Sequence, residues 1–148
     1  ISYDHILLKN QRLTLDSFDE NIYRELISNS RTFGFRKDVD TLLKKGLIKG
    51  GSLNNAVLLD EDGIVNEEKL RHPDEFVRHK ILDFIGDMYL LGKKVEGHFE
   101  IFCGGHNLTQ ELLKTLISDK SNFKLMDENP SGFHKRSIES HTDISAAI

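Results

Sequence analysis

A chain of 148 residues with 38% hydrophobic content can bury one modest core, so a single domain is expected. The formal net charge of -4, with Lys and Arg scattered among the acids, argues against a nucleic-acid partner, and no apolar run approaches the roughly 20 residues of a spanning helix. The lone Cys103 cannot form an internal disulfide and the start lacks a signal-peptide pattern, which together point to a cytoplasmic protein.

The chain opens on Ile1, without an initiator Met and already inside what reads as a strand, so it is expected to be a piece of something longer. Residues 1–8 and 11–15 read as a hairpin turning at Lys9-Asn10. Ser17 followed by Glu20 is a capping-box signature, and Ile22, Leu26 and Ile27 carry helical spacing to about Asn29. Residues 31–36 read as a strand interrupted by Gly34, and 38–45 as a short helix closed by Gly46. Gly50-Gly51-Ser52 lets the backbone turn sharply or approach a ligand, an ordinary loop being the plainer reading. Ala56 to Leu59 and residues 63–65 form a hairpin pattern around Glu61-Asp62-Gly63.

Pro73 and Gly92 bracket a long helix, with Asp74 and Glu75 at its positive end. Residues 95–103 alternate as a strand, Phe99 and Ile101 on one side, and Gly104-Gly105-His106-Asn107 hands over to a helix from about 108 to 118. Beyond Asp119 the chain turns polar, and 119–148 is expected to be a partly disordered tail.

Within the long helix, residues four apart lie one turn above another, so His79, Asp83 and Asp87 share one stripe. An imidazole and a carboxylate one turn apart can grip one divalent ion, and nitrogen with oxygen donors suits zinc. Two ligands are not the usual three, and Val77, Ile81, Phe84, Ile85, Met88 and Tyr89 fall on the opposite arc, so the stripe could equally be the wet face.

Arg31-Thr32-Phe33-Gly34-Phe35, Gly50-Gly51-Ser52-Leu53-Asn54-Asn55-Ala56, Asp74-Glu75-Phe76-Val77-Arg78-His79-Lys80-Ile81-Leu82-Asp83-Phe84-Ile85-Gly86-Asp87 and Gly104-Gly105-His106 occur in one order and spacing. Together they resemble the second half of the UDP-3-O-acyl-N-acetylglucosamine deacetylases, zinc enzymes of lipid A biosynthesis in Gram-negative bacteria, over about residues 1–118. The resemblance implies an α+β two-layer sandwich, a small mostly antiparallel sheet packed on helices with a β-α-β insert, as the second of two domains with the active site between them.

By the same resemblance His79 and Asp83 are two of three zinc ligands. His106 is the general acid or oxyanion-stabilising histidine, Asp87 the carboxylate that orients it, and Thr32 a hydroxyl near the developing oxyanion. Phe33 and Lys80 contact the UDP-linked acylated glucosamine substrate, while Val39, Ile48, Gly51 and Ser52 belong to an acyl-chain passage. For the neighbouring Leu42 and Leu43, plain packing is the reading preferred.

The family's third zinc-binding histidine and general-base glutamate form a Glu-His pair in the first domain, and that dipeptide is absent here. His5, His72, His98, His134 and His141 lack its context. Cys103 stands where a basic residue is usual and reads as an ordinary buried strand residue. The chain is thus expected to need a missing N-terminal domain and to be inactive alone, the alternative being a non-catalytic binding or structural module.

Overall fold

The structure, a computed structural model, describes residues 1–46 and 52–126. Its two strands are Thr32–Phe35 (β1) and Ala56–Leu59 (β2), paired in parallel with Thr32 opposite Ala56 and Phe35 opposite Leu59. Element order accounts for the direction. The helix Arg36–Lys44 (α2) starts where β1 ends, and a strand that returns through a helical crossover runs the same way as before.

This corrects the expected mostly antiparallel sheet: among the described residues the only sheet is two-stranded and parallel. The hairpin expected around Glu61-Asp62-Gly63 is reduced to an antiparallel bridge between Leu59 and Ile64. Neither residues 1–15 nor 95–103 form strands. Alternation reports which side of a strand would be buried, but a strand also needs a neighbour for its backbone N–H and C=O groups. The opening segment instead folds through turns fixed by His5, whose Nδ1 accepts from the Leu7 N–H at 3.2 Å and whose Nε2–H donates to the Asp60 carbonyl at 2.8 Å.

A short helix at Glu20–Ile22 (α1) runs on as a wider π turn over Tyr23–Ile27. Its cap is Asp19, which accepts from the Ile22 N–H at 2.8 Å, and not the expected Ser17. The long helix is Glu75–Met88 (α3), finishing in a 3-10 turn at Tyr89–Leu91 and closed by Gly92 at φ 63, a left-handed end that glycine adopts without a Cβ penalty. A last long helix, His106–Ser118 (α4), packs along α3 with Thr109 and Leu113 buried.

Leu8, Val57, Leu59 and Phe76 are fully buried and join the opening segment, β2 and α3 into one core, against which Phe33, Phe35, Ile64 and Leu70 pack. Burial of such side chains contributes about 1.5–3 kcal/mol each. The consequence for function is that β1 is clamped to the first two turns of α3. Among the described residues no helix is long and apolar enough to cross a membrane.

Candidate metal centre and histidine dyad

The stripe on α3 is not a wet face: the His79 and Asp83 side chains are only 13% and 16% exposed. Nδ1 of His79 lies 3.1 Å from the Ser30 carbonyl, which can only accept, so Nδ1 carries a proton and Nε2 is the ring nitrogen left for Asp83. Nε2 faces Oδ1 of Asp83, an acceptor, at 3.2 Å. A nitrogen and a carboxylate oxygen converging in this way call for a proton or a cation between them. Ligands about 2.0–2.1 Å from a tetrahedral zinc stand roughly 3.3 Å from each other, so the pair already has the spacing of two ligands of one ion.

Both partners are braced. Lys80 Nζ donates to the other oxygen of Asp83 at 3.0 Å, leaving Oδ1 to face His79, and also sits 5.7 Å from the centre of the Phe33 ring. Phe33 packs edge-on against Phe76 and His79, with centroids 5.1 and 6.3 Å away. Among the described residues no cluster of three His, Cys, Asp or Glu side chains forms a complete metal cage. The donors present therefore fit zinc as part of its ligand set.

One turn further along, Asp87 faces His106, the first residue of α4, with Nδ1 at 2.9 and 3.0 Å from the two carboxylate oxygens. Asp87 is 13% exposed and His106 60%, so the carboxylate holds Nδ1–H from beneath and Nε2 is left open to solvent. The turn before α4 is tight: a Cβ on Gly104 would come within 2.5 Å of the Ile101 side chain. Thr109 secures the start of α4 by donating its N–H and hydroxyl to the Gly105 carbonyl at 3.0 and 3.2 Å.

The remaining expected site residues are more dispersed. Thr32 is exposed at the start of β1, two residues after Ser30. Val39 is half-buried on α2, and Ser52 is exposed in a turn where its N–H donates to Asn55 Oδ1 at 2.9 Å. Ile48 and Gly51 lie outside the described residues, as do His134, His141 and residues 127–148 of the expected tail. Leu43 is 55% exposed, against the packing role expected for it. Cys103 is exposed and lies in no strand, with a left-handed φ of 49, which corrects its reading as a buried strand residue. His5 is a satisfied structural histidine, and His72 approaches Asn29 Oδ1 at 3.3 Å.

Sequence reasoning missed the ion pair of Arg31 and Glu75, 4% and 0% exposed. Oε1 of Glu75 accepts from both the backbone N–H and Nε of Arg31 at 2.9 Å, and Oε2 from Arg31 Nη2 at 3.1 Å and the Arg71 N–H at 2.7 Å. Arg31 reaches Glu68 as well, at 3.0 Å. Burial pushes the Glu75 carboxyl up, but the hydrogen bonds from Arg31 and Arg71 outweigh it and hold the group below its ordinary range. The Arg31 guanidinium is raised, first by its hydrogen bond to Glu75. A buried Glu at a helix start could have been suspected of needing a cation, but a separation of 44 positions hides which one.

Nitrogen and oxygen donors converging from one helix, one turn from a histidine held by a carboxylate, are groups with which metal-assisted hydrolysis can be carried out. The chain belongs to the UDP-3-O-acyl N-acetylglycosamine deacetylase family, whose model matches residues 1–118. It is 47% identical over 129 residues to the UDP-3-O-acyl-N-acetylglucosamine deacetylase of Lawsonia intracellularis, covering 87% of this chain and 39% of that protein. The enzyme of the same name from Syntrophus aciditrophicus is 50% identical over 123 residues, covering 83% and 39% respectively. That of Myxococcus xanthus is 46% identical over 126, covering 85% and 40%. The chain thus spans about two fifths of the length of these relatives.

Proposed function

We propose that this chain supplies one side of a zinc-dependent amidase site that removes the acetyl group from UDP-3-O-acyl-N-acetylglucosamine in the cytoplasmic stage of lipid A biosynthesis. The observation that carries the reading is the convergence of His79 Nε2 and Asp83 Oδ1 at 3.2 Å, with the far nitrogen of the ring anchored on the Ser30 carbonyl. Residues 1–118 act as the second domain and 119–148 as a tail. Portions of the protein beyond this chain provide the third ligand and the general base.

Bound zinc would supply polarisation of the amide carbonyl and a water of lowered pKa. His106 delivers a proton from Nε2 to the leaving amine, and its position over Asp87 keeps Nδ1 occupied so that only Nε2 faces the substrate. The protonated ring also stabilises the negative oxygen that develops on the attacked carbon, with the Thr32 hydroxyl as a second donor. Lys80 and Phe33, stacked beside Asp83, offer a cation and an aromatic surface to the substrate. Val39, Ile48, Gly51 and Ser52 border the passage for its acyl chain.

This chain alone should hydrolyse none of that substrate, and addition of the remaining portion of the protein in trans should restore acetate release. Turnover by the isolated chain contradicts the division of the site.

A further inference from the structure

The amide N–H of Arg31 and the carbonyl of Ser30 belong to one peptide unit, which is planar and trans, so its donor and acceptor point in opposite directions in one plane. The N–H donates to Glu75 Oε1 at 2.9 Å, and the carbonyl accepts from His79 Nδ1 at 3.1 Å. Residues 75 and 79 are one turn apart on α3, so a single peptide plane bridges that turn. Glu75 itself cannot swing. Its two oxygens take three hydrogen bonds from Arg31 and one from the Arg71 backbone, and it is wholly buried. Ser30 contributes only backbone here, since its buried hydroxyl has no partner among the described residues.

We propose that Glu75 is a positioning residue for the metal ligand His79, acting through the Ser30–Arg31 peptide and held in place by the Arg31 guanidinium. Gripping the N–H edge fixes the direction of the carbonyl, and the carbonyl fixes both the tautomer and the rotation of the imidazole. The result is an Nε2 lone pair aimed at Asp83 before any ion arrives. This inference rests on the reading of His79 and Asp83 as zinc ligands.

The test uses the complete protein, stripped of metal and titrated with zinc against a competing chelator, with nitrogen NMR of the histidine rings before zinc is added. The unaltered protein should show His79 with Nδ1 protonated; an Nε2-protonated neutral ring overturns the inference without any mutation. The double variant Arg31→Met/Glu75→Leu removes the acceptor of the peptide N–H without stranding a charge. It should weaken zinc binding about tenfold, the lower end of what partners behind a ligand usually contribute, and yield mixed His79 tautomers. Glu75→Gln keeps an oxygen for that N–H and should recover most of the affinity. Leu8→Ala, a destabilising core change outside this chain of bonds, should leave affinity within about twofold. If the double variant stays folded and binds zinc like the Leu8→Ala control, the positioning role is overturned while the metal reading stands. If His79→Ala in the same titration leaves zinc affinity unchanged, the metal reading fails and takes the inference with it.

Discussion

Glu75 and His79, one turn apart on α3, hold opposite edges of the Ser30–Arg31 peptide, the first through its carboxylate at 2.9 Å and the second through Nδ1 at 3.1 Å. The same contact that ties the residues just before β1 to the start of α3 thereby orients the side chain proposed as a zinc ligand. Stability and site geometry are coupled at this point, and substitutions should report on both.

Arg31→Ala should destabilise the fold by about 3–5 kcal/mol, because it leaves the Glu75 carboxylate buried without its cation. Replacing both partners by Met and Leu should cost clearly less than the single change. Denaturant unfolding measures both, and a single variant within about 1 kcal/mol of wild type would show that the pair is solvated in solution.

Acid should unfold the protein partly through the same group. Glu75 has a folded-state pKa below its ordinary value of 4.5, so its contribution is complete above that pH and is lost as pH falls through the lower folded value. Asp74, lowered first by its hydrogen bond from Arg78, adds to the loss in the same direction. Arg31 is raised, so its share disappears only in strongly alkaline solution. Melting temperature followed from pH 6 to pH 3 should therefore fall less steeply in Glu75→Gln than in wild type. Equal slopes would mean other carboxylates dominate.

Asp87→Asn should lower the deacetylation rate of the complete protein by about 10²–10⁴-fold while zinc affinity changes little. Asn lacks the negative charge that supports a doubly protonated ring, and its NH2 facing His106 Nδ1 disfavours a proton there, so the ring that donates from Nε2 while Nδ1–H stays held is lost. A rate within threefold of wild type at saturating zinc would remove the dyad from the chemistry.

Ser30→Ala should leave zinc affinity unaltered, since the carbonyl remains, and should hold or raise stability by up to about 1 kcal/mol by removing a buried hydroxyl without a partner among the described residues. Loss of more than that would reveal a partner for the hydroxyl.

Most helices and both strands were legible in the sequence because their signals are local. Pro73 and Gly92 bracketed α3, Gly46 with φ 66 closed α2, and apolar spacing marked α4 within two residues of its start. Residues 1–15 and 95–103 alternate but pair as strands with no segment among the described residues, which no periodicity can reveal. The site divides along the same line. The stripe of His79, Asp83 and Asp87 follows from helical geometry, whereas the Ser30 carbonyl is a backbone group with no residue signature, and the Arg31 and Glu75 pairing depends on tertiary contact. His106 and its pairing with Asp87 were expected from the resemblance, and what the fold adds is the distance, 2.9 Å from Nδ1 to the carboxylate.

The most direct measurement is calorimetric zinc titration of the complete protein, comparing wild type with His79→Ala and Asp83→Ala. One tightly bound zinc in wild type, weakened at least about a hundredfold by either substitution while the fold is retained, is the predicted result, since loss of a ligand should exceed the 10–100-fold cost of losing a group behind one. Unchanged zinc affinity in both variants would contradict the metal centre on α3.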